Sequence, residues 1–179
     1  MARQGFCVWL TGLSGSGKTT IASALELELR HLGLEVAVFD GDIVRSRISS
    51  DLGFTREDRD TNVGRIAALA ADVVKKSDVA ICALMSPYAR AREKARDVIG
   101  AGQFVLVYVA TPLNICELRD VKGLYAKARR GEIRHVVGID DDYEAPEDAD
   151  GALKRFMDEV APLVRELVAE GRADGAESH

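Results

Sequence analysis

A short apolar run, FCVWL at residues 6–10, leads directly into TGLSGSGKTT at residues 11–20, and a segment with helical spacing follows to about residue 32. Gly12, Gly17, Lys18 and Thr19 satisfy G-x-x-x-x-G-K-[ST], and a strand before the motif with a helix after it is the context that makes it a phosphate-binding loop. Few other features restrict a fold so tightly. The loop needs a buried strand to present it and a helix N-terminus to complete it, so the chain must be built from βαβ units. Backbone groups of Ser14, Gly15, Ser16, Gly17 and Thr20 are candidates to surround the phosphates. Lys18 is placed to reach the β- and γ-phosphates and Thr19 to hold Mg²⁺.

The rest of the chain extends that pattern. EVAVF at residues 35–39, DVAICAL at 78–84 and FVLVYVA at 104–110 are near-continuous apolar runs of the kind found in strands covered on both faces. Between them, Thr55 and Asp58 form a capping box for a helix whose apolar side carries Val63, Ile66, Ala67, Ala70 and Val74. Ser86-Pro87 reads as an N-cap and first-turn proline opening a helix to about residue 99. The expectation is one α/β domain over residues 1–170: a parallel sheet with helices on both faces. Residues 119–147, rich in charge and poor in aliphatics, read as an irregular, mobile lid. ALKRFMDEVAPLVRELVAE returns to helical spacing, and residues 171–179 read as a disordered tail.

Composition narrows the function. With 24 Lys and Arg against 29 Asp and Glu, the net charge of −5 argues against a general nucleic-acid partner. No apolar run has the length of a membrane span and no leader pattern precedes the first strand, so a cytoplasmic protein without a membrane partner is expected. Cys7, Cys82 and Cys116 lie in apolar surroundings and read as buried free thiols.

In open parallel sheets ligands gather at the carboxyl ends of the strands, and the second strand ends in DGD. Asp40 is a candidate to order Mg²⁺ through water, and Asp42 to accept a proton from an attacking hydroxyl. The alternative is that Asp42 caps the helix beginning IVRSRI, and the two roles can coexist. Arg59, Asn62 and Arg65 recur every three residues along one stripe of the capped helix. With Arg45 they suit an anionic acceptor, although such a stripe also fits a solvated face. RDVKGLYAKARRGEIR gathers further cations, of which Arg119 and Lys122 are the candidates for direct phosphate contact.

Taken together, GLSGSGKTT, DGDIVR, DLGFTREDR, MSPY, RDVKGLYAKARRGEI and GIDDDYEAPE resemble the adenylylsulfate kinases, in that family's order, over about residues 7–147. The resemblance implies ATP and Mg²⁺ as cofactors and adenosine 5′-phosphosulfate as acceptor of the γ-phosphate at its 3′-hydroxyl. It also implies a homodimer. It places Asp42 as base, Arg45, Phe54, Arg59, Asn62, Arg65, Lys122 and Leu124 about the acceptor, and Ser86 at the position described as a phosphoserine intermediate. Direct in-line transfer needs no such intermediate. The chain departs from the family pattern at Val136-Val137, where an aromatic-threonine pair is usual, and at Gly64 and Ala89, where arginine is frequent. It also lacks the strand that usually follows YEAP. Two other readings stay open: a kinase with a different anionic alcohol acceptor, and a nucleotide-binding subunit without catalysis.

Overall fold

The computed structural model describes residues 4–76 and 78–147. The expected helix after residue 151 and the tail at 171–179 lie outside the described residues. Strands β1 (Phe6–Thr11), β2 (Val36–Asp40), β3 (Val79–Ala83) and β4 (Phe104–Tyr108) form one parallel sheet in the order β2-β3-β1-β4. Every residue of β1 and β3 is buried, which is why both read as unbroken apolar runs rather than alternating ones.

Side-chain alternation divides the core into two layers. Phe6, Val8 and Leu10 of β1 face α1 (Lys18–His31) through Ala22 and Leu29. Cys7 and Trp9 face the opposite way, onto α3 (Arg56–Val74) and α4 (Ala89–Ile99). All five apolar residues expected on the α3 face are buried there, and the Thr55–Asp58 capping box is formed in both directions. The short α2 (Gly41–Arg47) follows β2 directly. The three cysteines are free and buried.

Two expectations are corrected. Ser86 does not cap α4: the helix starts at Ala89 after Tyr88, and Ser86 takes φ +36°, outside the extended conformation of a capping residue. Residues 119–147 are not irregular throughout. After α5 (Leu113–Arg119), α6 (Leu124–Arg129) is capped by Asp120, whose carboxylate accepts from the N–H groups of Tyr125 and Ala126 at 3.2 and 2.9 Å. Tyr125, Val136 and Val137 then close a third small core against Leu13 and Cys116. This core sits beside the phosphate loop, so the segment packs against the carboxyl ends of the strands.

Candidate active site

The loop between β1 and α1 turns on its glycines. Gly12 has φ +146°, and a Cβ there would lie 2.6 Å from the Val109 carbonyl oxygen; Gly15 and Gly17 are at φ +74° and +107°. The loop's carbonyls are held from behind. Tyr125 Oη donates to Ser14 O at 2.9 Å, Arg119 to Gly15 O at 3.1 Å, and Thr111 Oγ1 to Ser16 O at 2.8 Å. The first-turn N–H groups of α1 have no intrahelical acceptor, so the loop's mouth is built for anion oxygens. Lys18 folds back across it and donates to Gly12 O at 3.0 Å and Leu13 O at 2.7 Å. Burial of the ammonium lowers its pKa from 10.5 to about 8.

The two aspartates after β2 have divided the roles left open above. Asp40 is the cap of α2: its Oδ1 accepts from Asp42 N at 3.0 Å, while its Oδ2 accepts from Thr19 Oγ1 at 2.8 Å. Asp42 is therefore free of capping and meets the Lys122 ammonium in an ion pair. A hydroxyl and a carboxylate side by side at the end of the phosphate loop fit the oxygen donors that Mg²⁺ takes.

A cleft of about 1180 Å³ joins this centre to the acceptor side. It is lined by Ser14, Gly15, Ser16, Gly17, Lys18, Thr19 and Thr20 of the loop, by Asp40, Asp42, Arg45, Phe54, Arg59 and Asn62 from β2 to α3, and by Arg119, Lys122, Leu124, Val136 and Val137. Phe54 is 55% exposed there, with the Arg45 guanidinium 4.2 Å from its ring centre. Asn62 is buried, and its Oδ1 has no hydrogen-bond partner among the described residues, a cost that a ligand donor in the cleft would remove. Arg59 is buried rather than on a solvated stripe; it donates to Phe54 O at 3.1 Å and across to His135 O at 2.6 Å. Arg65 stands apart from the cleft. Its guanidinium makes a bidentate pair with Asp51 at 2.6 and 2.8 Å.

Ser86 is buried at the cleft's edge. Its Oγ accepts from Trp9 Nε1 at 3.1 Å and donates to Thr11 Oγ1 at 2.9 Å, so both its proton and a lone pair are engaged inside the fold. Sequence reasoning missed several residues that hold this site together. Thr11, Arg92, Tyr125, Tyr143 and Glu144 all hold backbone or hydroxyl groups at the site. Thr11, Tyr125 and Tyr143-Glu144 lie within motif stretches but at positions the motifs do not specify; Arg92 has no signal beyond its neighbours.

A family model described as adenylylsulphate kinase matches residues 4–154. The chain belongs to the adenylylsulfate kinase family. An adenylyl-sulfate kinase of Halothermothrix orenii is 47% identical over 171 residues, covering 94% of this chain and 91% of that one. One from Escherichia coli is 49% identical over 147 residues, 82% of this chain and 73% of that one. Among solved structures, the Mycobacterium tuberculosis APS kinase in complex with AMPPNP and APS superposes with a TM-score of 0.80 at 40% identity, covering 90% of this chain and 98% of that one. Adenylylsulfate kinase membership thus rests on most of the chain's length, and the parallel sheet and phosphate loop are those of the family.

Proposed function

We propose that the chain transfers the γ-phosphate of ATP to the 3′-hydroxyl of adenosine 5′-phosphosulfate. The observation that carries this reading is a cleft that holds both the phosphate loop and Asp42, a carboxylate released from capping duty by Asp40. ATP phosphates would lie along residues 14–20, with Lys18 leaving its neutral carbonyl partners for the β- and γ-phosphates. Thr19 and Asp40 would hold Mg²⁺, which supplies neutralisation of charge on the phosphate oxygens. Elsewhere in the cleft lining Phe54 offers a stacking face, Arg45 and Arg59 offer positive charge, and Asn62 Oδ1 awaits a donor. Arg65 lies outside the cleft lining and holds Asp51 and the Ile48 carbonyl in the turn after α2.

Asp42 would accept the hydroxyl proton as the phosphoryl group transfers in line. To do so it must release Lys122, and the phosphates on the loop are the competing anion for that ammonium. Ser86 takes no covalent part, because its hydroxyl is committed to Trp9 and Thr11. The presence of Lys18, Thr19 and Asp42 in one cleft argues against a subunit without catalysis.

The test is transfer of labelled phosphate from ATP to a panel of anionic alcohols. Adenosine 5′-phosphosulfate should be the best acceptor, and Asp42→Asn should lose about 10²-fold or more in kcat with nucleotide affinity retained. A different preferred acceptor would overturn the assignment; full activity in the Asn variant would remove Asp42 as base.

A further inference from the structure

One wall of the acceptor cleft is formed by Val136 and Val137, and these belong to an arm that the rest of the fold holds at its far end. From Val137 the chain turns back on itself: Gly138 N donates to Asp141 O at 2.7 Å, and Val137 and Asp141 form a bridge. Three residues later the arm is pinned. Glu144 N donates to Pro87 O at 2.9 Å, its Oε2 accepts from Ala89 N at 2.7 Å, and its Oε1 pairs with Arg56 at 2.8 Å. Glu144 thus supplies the acceptor that α4 lacks at its start, and a carboxylate is favoured there by the helix dipole.

Two side chains join this end of the arm to the sheet. Arg92, 4% exposed, donates to Ser86 O at 2.8 Å and to Glu144 O at 2.6 Å, joining the turn after β3 to the arm. Tyr143 lies against Tyr108 with ring centres 5.6 Å apart, and its hydroxyl is 2.8 Å from Thr11 Oγ1 at the end of β1. Thr11 in turn donates to Met85 O at 2.6 Å and accepts from Ser86, so the tyrosine proton completes a closed set of buried hydroxyls. Burial raises the Tyr143 pKa to about 12, which keeps that proton in place at any working pH.

We propose that Arg92 and Tyr143 are positioning residues for the acceptor: they latch the arm onto the ends of β1 and β3 and so fix the Val136–Val137 wall. Arg92 makes no hydrogen bond to residues 12–20, and Tyr143 meets that stretch only through Thr11, ahead of Gly12, so their effect falls on the acceptor more than on ATP. Arg92 shares Ser86 O with Thr11 Oγ1, 3.3 Å away, and alone among the described side chains it donates to Glu144 O. The identity of the acceptor rests on the function proposed above; the latch itself does not.

The full chain is tested as Tyr143→Phe, which keeps the ring, and Arg92→Lys, which keeps the charge but not the two-pronged geometry. Hydrogen exchange without substrates should quicken in peptides spanning residues 86–92 and 133–144, while phosphate-loop peptides exchange as in the unmodified chain. The acceptor KM should rise about fivefold or more, with ATP KM and kcat within about twofold. A residue that serves only general stability would move the ATP and acceptor constants together or lower the active fraction. Unchanged exchange in both variants, or quickened exchange with an unchanged acceptor KM, overturns the proposal. If Arg92→Lys does not fold, Tyr143→Phe carries both readouts. If the unmodified chain fails to phosphorylate adenosine 5′-phosphosulfate, the function fails and exchange alone decides the latch.

Discussion

Lys18 shows how a single group can carry both binding and its pH dependence. Its partners among the described residues are the Gly12 and Leu13 carbonyls and, at 3.4 Å, the Ser16 hydroxyl, none of which carries a charge. Burial therefore brings the ammonium down to about 8, and phosphate oxygens would raise it again. The protonated form is the one that binds phosphate. Below pH 8 it is already populated and this group leaves nucleotide affinity flat; above pH 8 a proton must be taken up on binding, and affinity falls by up to about tenfold per pH unit. Calorimetric titration of ATP between pH 7.5 and 9.5, in buffers of different ionisation enthalpy, should show that proton uptake. Uptake absent at pH 9 would mean that Lys18 is not the phosphate contact. At this scale the loop was legible because its motif is contiguous. The division between Asp40 and Asp42 was not, because both stand at a helix start and only the backbone decides which carboxylate turns inward to cap.

Among the elements, α3 was the easiest to read and α4 the hardest, for the same reason. The Thr55–Asp58 box is local, and its two hydrogen bonds lie within four consecutive residues. The acceptor at the start of α4 is Glu144, 55 positions away from Ala89, and no local pattern announces it. The order within the 119–147 segment was hidden on similar grounds: outside α6 it is irregular, and its few apolar residues make a core only by closing on Leu13 and Cys116 from elsewhere in the chain. Val136 illustrates the cost. It lines the cleft but is only 9% exposed, packed in that small core, so a larger ring there overpacks rather than simply adding a second stacking face. Gly64 offers a cleaner change. It is an exposed position within α3, and a Cβ there would meet nothing within 4 Å. Gly64→Ala should stabilise the chain by about 0.5–1 kcal/mol through helix propensity alone. Denaturant unfolding should show a higher midpoint with an unchanged slope and unchanged kinase constants. A loss of stability would mean that the open space is filled in solution.

At the scale of the molecule, the sheet order follows from where the loop must sit. β1 lies between β3 and β4, buried on both faces, and so presents its carboxyl end at the centre of the sheet. The strands were legible as apolar runs, but their order was not, since β2, β3 and β4 differ too little in composition to say which flanks β1. The cleft that results joins the loop after β1 and the ends of β2 and β3 to α2, α3 and α6, so a bound nucleotide would touch several separate elements of the fold. A ligand that binds only the folded chain adds RT ln(1 + [L]/Kd), about 2.7 kcal/mol at a hundredfold excess over Kd. For a chain of this size that corresponds to a rise of roughly 5–10 °C in Tm. Mg-ATP should produce that rise in the unmodified chain and in Asp42→Asn, whose substitution leaves the Asp40 cap and the loop intact. Lys18→Ala should lose most of it, because the bound phosphates lose their closest cation while the two carbonyls it served stay near the solvent-filled cleft. Calorimetry of the three proteins separates binding from chemistry. An equal shift in Lys18→Ala would show that nucleotide is held elsewhere than on this loop, and loss of the shift in Asp42→Asn would make that carboxylate part of the nucleotide site rather than the base that serves the acceptor.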